Sequence, residues 1–161
     1  MAETHPPDEK GAPPRIDPQG LGDYLEVMSR SVFQTGISWK VVDNKWPGIR
    51  DAFRGFDAQA VAQMTPDDLD ALSSDTRVIR NRRKLEAIVG NAARMVEIEE
   101  EHGTFRDYLR SHGDFEATVA DLRKQFKFLG DTGAYVFLYI VGEQVPPHEE
   151  WMASRGRQGR P

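Results

Sequence analysis

No cysteine occurs in the 161 residues, which excludes disulfides, thiolate nucleophiles and thiolate metal sites. Long apolar runs are missing as well. Nothing approaches the roughly 18 consecutive apolar residues of a membrane span, and the N-terminus has neither a basic start nor an apolar signal core. A chain with no membrane segment and a cytoplasmic address is expected. Histidine is sparse and scattered, at positions 5, 102, 112 and 148, with no HExxH or comparable pairing to hold a metal. Signatures of the GxGxxG, P-loop and GxSxG kinds are absent, so dinucleotide binding, P-loop phosphoryl transfer and serine hydrolase chemistry lack support. An overall basic charge is also lacking, the formal net charge being −5. That total hides segregation: Arg77, Arg80, Arg82, Arg83 and Lys84 fall together, and the acidic run EIEEEH at 97–102 offsets them further along.

What is present fits one soluble domain large enough to bury a core, with 39% apolar and 29% charged residues. Residues 1–20 hold five of the ten prolines with no apolar periodicity, and are expected to be a disordered arm. From Leu21 the periodicity is helical, through Leu25, Met28 and Val32 to Thr35, where Gly36 ends it. A broken second helical region follows to Gly55, with Pro47 near the start of its longer part. Asp57 and Thr65 are expected helix caps, Thr65 being followed by Pro66, Asp67 and Asp68. A central helix spans about Asn81 to Glu101 on the stripe Leu85, Ile88, Val89, Ala92, Met95 and Val96, and Arg94 should be a solvated surface charge. Thr104 caps a further helix, another covers about Asp114 to Gln125, and DTGAYVFLYIVG is apolar on nearly all sides. The result is an all-α domain of seven or eight helices over 21–148, with a loosely ordered tail at 149–161 that is basic after Trp151.

Two segments suggest contact with a polyanion. FKFLG at 126–130 is a tight turn between a helix bearing Arg123, Lys124 and Lys127 and one opened by Asp131 and Thr132, the layout of a helix-hairpin-helix. Amide groups at such a turn can hold a phosphate without reading sequence. An ordinary corner packed on the core remains the alternative. The basic cluster at 77–84 meets a helix start, where cations oppose the dipole, which favours anion binding over stabilisation.

Together FQTGISW, FRGFDAQAVAQM, VIRNRRKLEAIVGNA and FKFLGDTGAYVFLYIVG resemble the DNA-3-methyladenine glycosylase I family of the helix-hairpin-helix glycosylase superfamily, from about Tyr24 to His148. The resemblance implies an enzyme that flips an alkylated base out of double-stranded DNA and hydrolyses its N-glycosidic bond in base-excision repair, acting as a monomer without a cofactor. It implies a base pocket formed by Ser31, Gln34 and Trp39. It also implies DNA-backbone contacts from Arg80, Arg82, Arg83, Lys84, Lys124, Lys127, Gly130 and Thr132.

Two departures qualify it. Three residues before the motif glutamine the family carries a base-recognising glutamate, and this chain has Ser31, which offers neither negative charge nor a base at neutral pH. Glu26 is no substitute, since five residues along a helix turn it about 140° away, and it is expected to pair with Arg30. The family's N-terminal YHD and EWG motifs and its zinc-binding half-site are missing, only His148 has a counterpart among the zinc ligands, and no zinc is expected. No catalytic residue can be assigned. A catalytically silent DNA-binding or lesion-sensing module on the same fold is the alternative, and a helical protein-interaction domain is a third reading.

Overall fold

Caps written into the sequence start most of the helices. The computed structural model describes residues 14–158, with side chains to residue 154. Its helices are α1 (Leu21–Gln34), α2 (Trp39–Ala52), a 3-10 turn (Arg54–Phe56), α3 (Ala58–Ala62), α4 (Pro66–Ser73), α5 (Arg82–His102), α6 (Phe105–Leu109), α7 (Phe115–Gln125), α8 (Asp131–Ile140) and α9 (His148–Gln158). No strand occurs among the described residues. Asp57, Asn81, Thr104 and Asp114 each accept a backbone N–H at the start of α3, α5, α6 and α7. Thr65 and Asp68 complete a reciprocal capping box at α4.

The 21-residue α5 is the axis of the molecule. Its stripe Leu85, Ile88, Ala92 and Met95 is fully buried and packs against α1, α3, α4 and α6. Beside it Trp46 stacks on Phe56 and Phe56 on Phe53, with ring centroids 5.3 and 5.6 Å apart, and Phe33 meets both Trp46 and Phe53 edge-on. On the other side α8 buries Ala134, Tyr135, Phe137 and Leu138 against α1 and α7, as its all-round apolar sequence requires. Between α6 and α7 the Tyr108 phenol donates to Asp121, whose carboxylate also meets His112 at 3.2 Å. Burial, and then the Asp121 carboxylate, hold that phenol above the ordinary tyrosine range.

Four expectations need correction. The second helical region is one continuous α2 with Pro47 inside it, because Pro47 is exposed and forfeits a single internal bond while Val42, Trp46 and Ile49 anchor the buried face. Residues 14–20 of the expected disordered arm are docked: Ile16 N–H donates to the Ile140 carbonyl at 2.7 Å, Arg15 lies 4.5 Å above the Tyr139 ring, and Pro18 is buried. Positions 1–13 lie outside the described residues. The tail is helical as α9 as far as Gln158, with positions 159–161 outside the described residues, and Trp151 is its anchor, only 3% exposed. Arg94 bonds Gln125 at 2.8 Å and pairs with Glu97 and Glu101, so it ties α5 to α7.

Trp151 stacks on Tyr135 at 5.0 Å, meets Phe115 edge-on at 5.8 Å and donates to Glu116 at 3.1 Å. Trp151→Ala is expected to cost about 3–5 kcal/mol, the range for removing a buried aromatic. Denaturant unfolding measures the loss, and limited proteolysis should then cut first within α9.

Candidate functional site

The QTGISW stretch is a hinge between two helices. Thr35 N–H donates to Val32 O and Ile37 N–H to Gln34 O, closing a tight turn at the end of α1, and Gly36 takes the left-handed conformation at φ 77°. Ser38 then caps α2 by accepting from Lys40 N–H at 3.2 Å. Trp39 thereby becomes the first residue of α2, aimed outward and 60% exposed. It is not a core tryptophan. That role belongs to Trp46, whose Nε1–H donates to Glu26 at 2.8 Å while the Arg30 guanidinium lies 4.5 Å above its ring. Glu26 therefore pairs with Trp46 and Arg50, not with Arg30, whose partner is Asp43.

Lys84 fixes the hinge. Only 4% exposed, its ammonium donates to the carbonyls of Phe33 and Thr35 at the negative end of α1. Burial pushes its pKa below the ordinary lysine range. An ammonium held this way is not presented to a phosphate, so Lys84 leaves the set of expected DNA-backbone residues. Lysine on the buried face of a capped helix was the available signal, one position before Leu85.

The hairpin is fixed from the same helix. Asn91, 3% exposed, accepts from Lys127 N–H at 2.8 Å and donates to Lys127 O at 3.2 Å. This double clamp supports Phe128, which adopts φ 59°, a conformation that costs a side-chain-bearing residue about 1–2 kcal/mol. Beside the hairpin lies an open groove of about 660 Å³ lined by Thr35, Ala120, Arg123, Lys124, Phe126, Phe128, Leu129 and Gly130. It reaches from the end of α1 across the last turn of α7 to the start of α8.

Ser31 lies where α1 packs against α8. A Cβ on Gly133 would come 4.0 Å from the Ser31 Cβ and 3.3 Å from Leu129 Cδ1. The nearest acidic residue in sequence, Asp131, is two positions before Gly133, about 200° round α8, and so does not share that face. Thr35, one turn beyond Ser31, bonds the Ser31 carbonyl and lines the groove. Gln34 is partly exposed beside it.

The expected cations divide into two groups. Arg77 pairs with Asp75 at 2.7 Å, and Arg82 with Asp70 and Glu86 at 2.6 and 3.0 Å. Arg80, Arg83, Lys124 and Lys127 are exposed and make no ion pair among the described residues. Gly130 and Thr132 are exposed at the start of α8. No group of three histidine or acidic side chains among the described residues converges to hold a metal. His148 instead meets the Tyr135 ring at 5.1 Å. These residues do not fit a structural zinc.

Comparison with known proteins gives a consistent result. A family model described as methyladenine glycosylase matches residues 8–127. The DNA-3-methyladenine glycosylase of Haemophilus influenzae is 31% identical, over 84% of this chain and 83% of its own length. DNA-3-methyladenine glycosylase 1 of Escherichia coli is 29% identical, over 84% and 82%. A solved structure of 3-methyladenine DNA glycosylase I from Staphylococcus aureus is similar with TM-score 0.70 and 28% identity, covering 79% of each chain. A structure of such an enzyme in complex with 3-methyladenine is similar with TM-score 0.68 and 28% identity, covering 80% of this chain and 79% of the other.

Asn91→Ala leaves both Lys127 backbone groups without their partner and is expected to cost about 1–3 kcal/mol. Lys84→Met, which keeps the length of the side chain but abandons two carbonyls, should cost a similar ~1–3 kcal/mol. Chemical denaturation checks both, and a neutral Lys84→Met would mean that the ammonium is dispensable to the hinge.

Proposed function

Because the chain belongs to the methyladenine glycosylase family, we propose that it is a DNA N-glycosylase that releases alkylated bases and so begins base-excision repair. The observation that carries the reading is local: an exposed tryptophan on the QTGISW hinge and a hairpin groove lined by the unpaired Lys124 are tied to one helix, in a chain matched by the family model over residues 8–127.

Chemistry on a base requires taking it out of the stack. In this reading the unpaired cations Arg80, Arg83, Lys124 and Lys127, with the amides at Gly130 and Thr132, grip phosphates of double-stranded DNA, and Arg82 contributes from its own ion pairs. Trp39 offers an aromatic face to the extruded base, with Gln34 and Ser31 supplying neutral hydrogen-bonding groups. An adenine methylated at N3 is already cationic. Its bond to C1′ breaks with the electron pair going to the base, which departs neutral, and water adds to C1′ with loss of a proton. Little acid or base catalysis is then needed, which suits a pocket without a carboxylate. A monomer working in the cytoplasm is part of the same reading. No helix among the described residues is long and apolar enough to cross a membrane.

Ser31 favours a second reading, a binder that holds damaged DNA without cleaving. Incubation with N3-methylated duplex DNA and quantification of free base separates the two. Release is expected, and Trp39→Ala should lower it about five- to 150-fold, from the roughly 1–3 kcal/mol of base–aromatic stacking. Binding without release would establish the silent module. Arg83→Ala and Lys127→Ala should each flatten the plot of log affinity against log salt by about 0.9, one counterion apiece.

A further inference from the structure

At the edge of the hairpin groove stands a group that phosphate binding does not need. Arg123 and Lys124 both line it, yet Arg123 is already engaged: its Nη1–H donates to Asp131 Oδ1 at 2.9 Å, joining the last turn of α7 to the first residue of α8. Gly130, immediately before Asp131, lines the same groove. A carboxylate oxygen on a guanidinium, beside the positive end of a helix, presents the charge and acceptor geometry of a phosphate oxygen. Both side chains stay open to solvent, at 50% and 34% exposure, so the pair can exchange with ions from solution.

We infer that Asp131 occupies on Arg123 the position that a DNA phosphate oxygen would take, and that it is therefore a negative determinant of DNA affinity. This rests on the reading that the hairpin groove faces DNA. A strand entering the groove must displace the Asp131 carboxylate before Arg123 can release a counterion from the strand. Free protein and complex then differ by one exchanged ion pair, and binding is weaker and less salt-dependent than the number of cations in the groove implies. Such a grip suits a protein that has to sample much undamaged DNA and leave it.

The test uses the full chain and an undamaged fluorescent duplex titrated at a series of salt concentrations. Asp131→Asn is expected to bind several-fold more tightly at low salt, with a log–log slope steeper by about 0.9, the mark of one additional counterion released. Arg123→Gln in the Asp131→Asn background should return the slope to that of the unaltered protein. Glu100→Gln, which removes the same charge near the far end of α5, should leave the slope unchanged. Asp131→Ser, a residue suited to a helix start, repeats the measurement should the asparagine variant melt early. Asp131→Asn that binds no more tightly than Glu100→Gln, with an unchanged slope, overturns the inference while leaving the DNA-binding reading in place. Absence of binding by every form at low salt overturns both.

Discussion

A single buried ammonium organises the candidate site. Lys84 has no carboxylate partner among the described residues; its charge is met by two carbonyls at the end of α1, where the helix dipole already favours a cation. That bond sets where α1 stops, hence where the turn at Gly36 lies and where Ser38 starts α2 with Trp39 on its outside. Asn91 follows Lys84 by seven residues on the same helix, two turns or roughly 10 Å along it and within about 20° of the same face. From there it grips the hairpin. One rigid element thus fixes both the hinge that carries the tryptophan and the turn that borders the groove.

The electrostatics follow from that arrangement. Most acidic residues near the basic cluster are spent on neighbours, as Asp75 is on Arg77 and Asp70 on Arg82, leaving Arg80 and Arg83 unpaired. Near the hinge no acidic side chain shares the face of α8 that meets Ser31. A net charge of −5 therefore coexists with a locally positive hairpin face, since the unpaired cations lie apart from the acidic end of α5. Substrate chemistry matters accordingly: a base that leaves readily needs position and an aromatic face more than a proton shuttle.

Local signals were legible in the sequence wherever the cause was local. Asp57, Thr65, Asn81, Thr104 and Asp114 stand at helix starts because a short polar side chain can satisfy the first free amides, a rule spanning three residues. Tertiary causes were not legible. Pro47 looks like a helix breaker until the buried face of Trp46 and Ile49 is seen to hold α2 together. Arg15 and Ile16 look unstructured because their partners, Glu143 and Ile140, lie more than 120 residues away. Lys84 looks like a fifth member of a basic cluster because charge counting cannot distinguish an ammonium facing solvent from one facing carbonyls. The resemblance carried the fold, and Trp39 and the hairpin were in view from the start. Asn91, inside the same motif, showed its purpose only as a contact to Lys127.

The seven-residue interval on α5 has a consequence for how such a chain can diverge. Between Lys84 and Asn91, Glu86 and Gly90 are exposed, and a Cβ at Gly90 would meet nothing. A change at Glu86 gives up only an exposed pair with Arg82, and Gly90 is free to drift. The length of the interval is not, because one inserted residue would turn Asn91 by about 100° and shift it 1.5 Å, away from the hairpin that it holds. Sequence can wander along this helix while its spacing stays fixed, so a relative too distant to recognise by identity should still keep the count of residues between the two anchors.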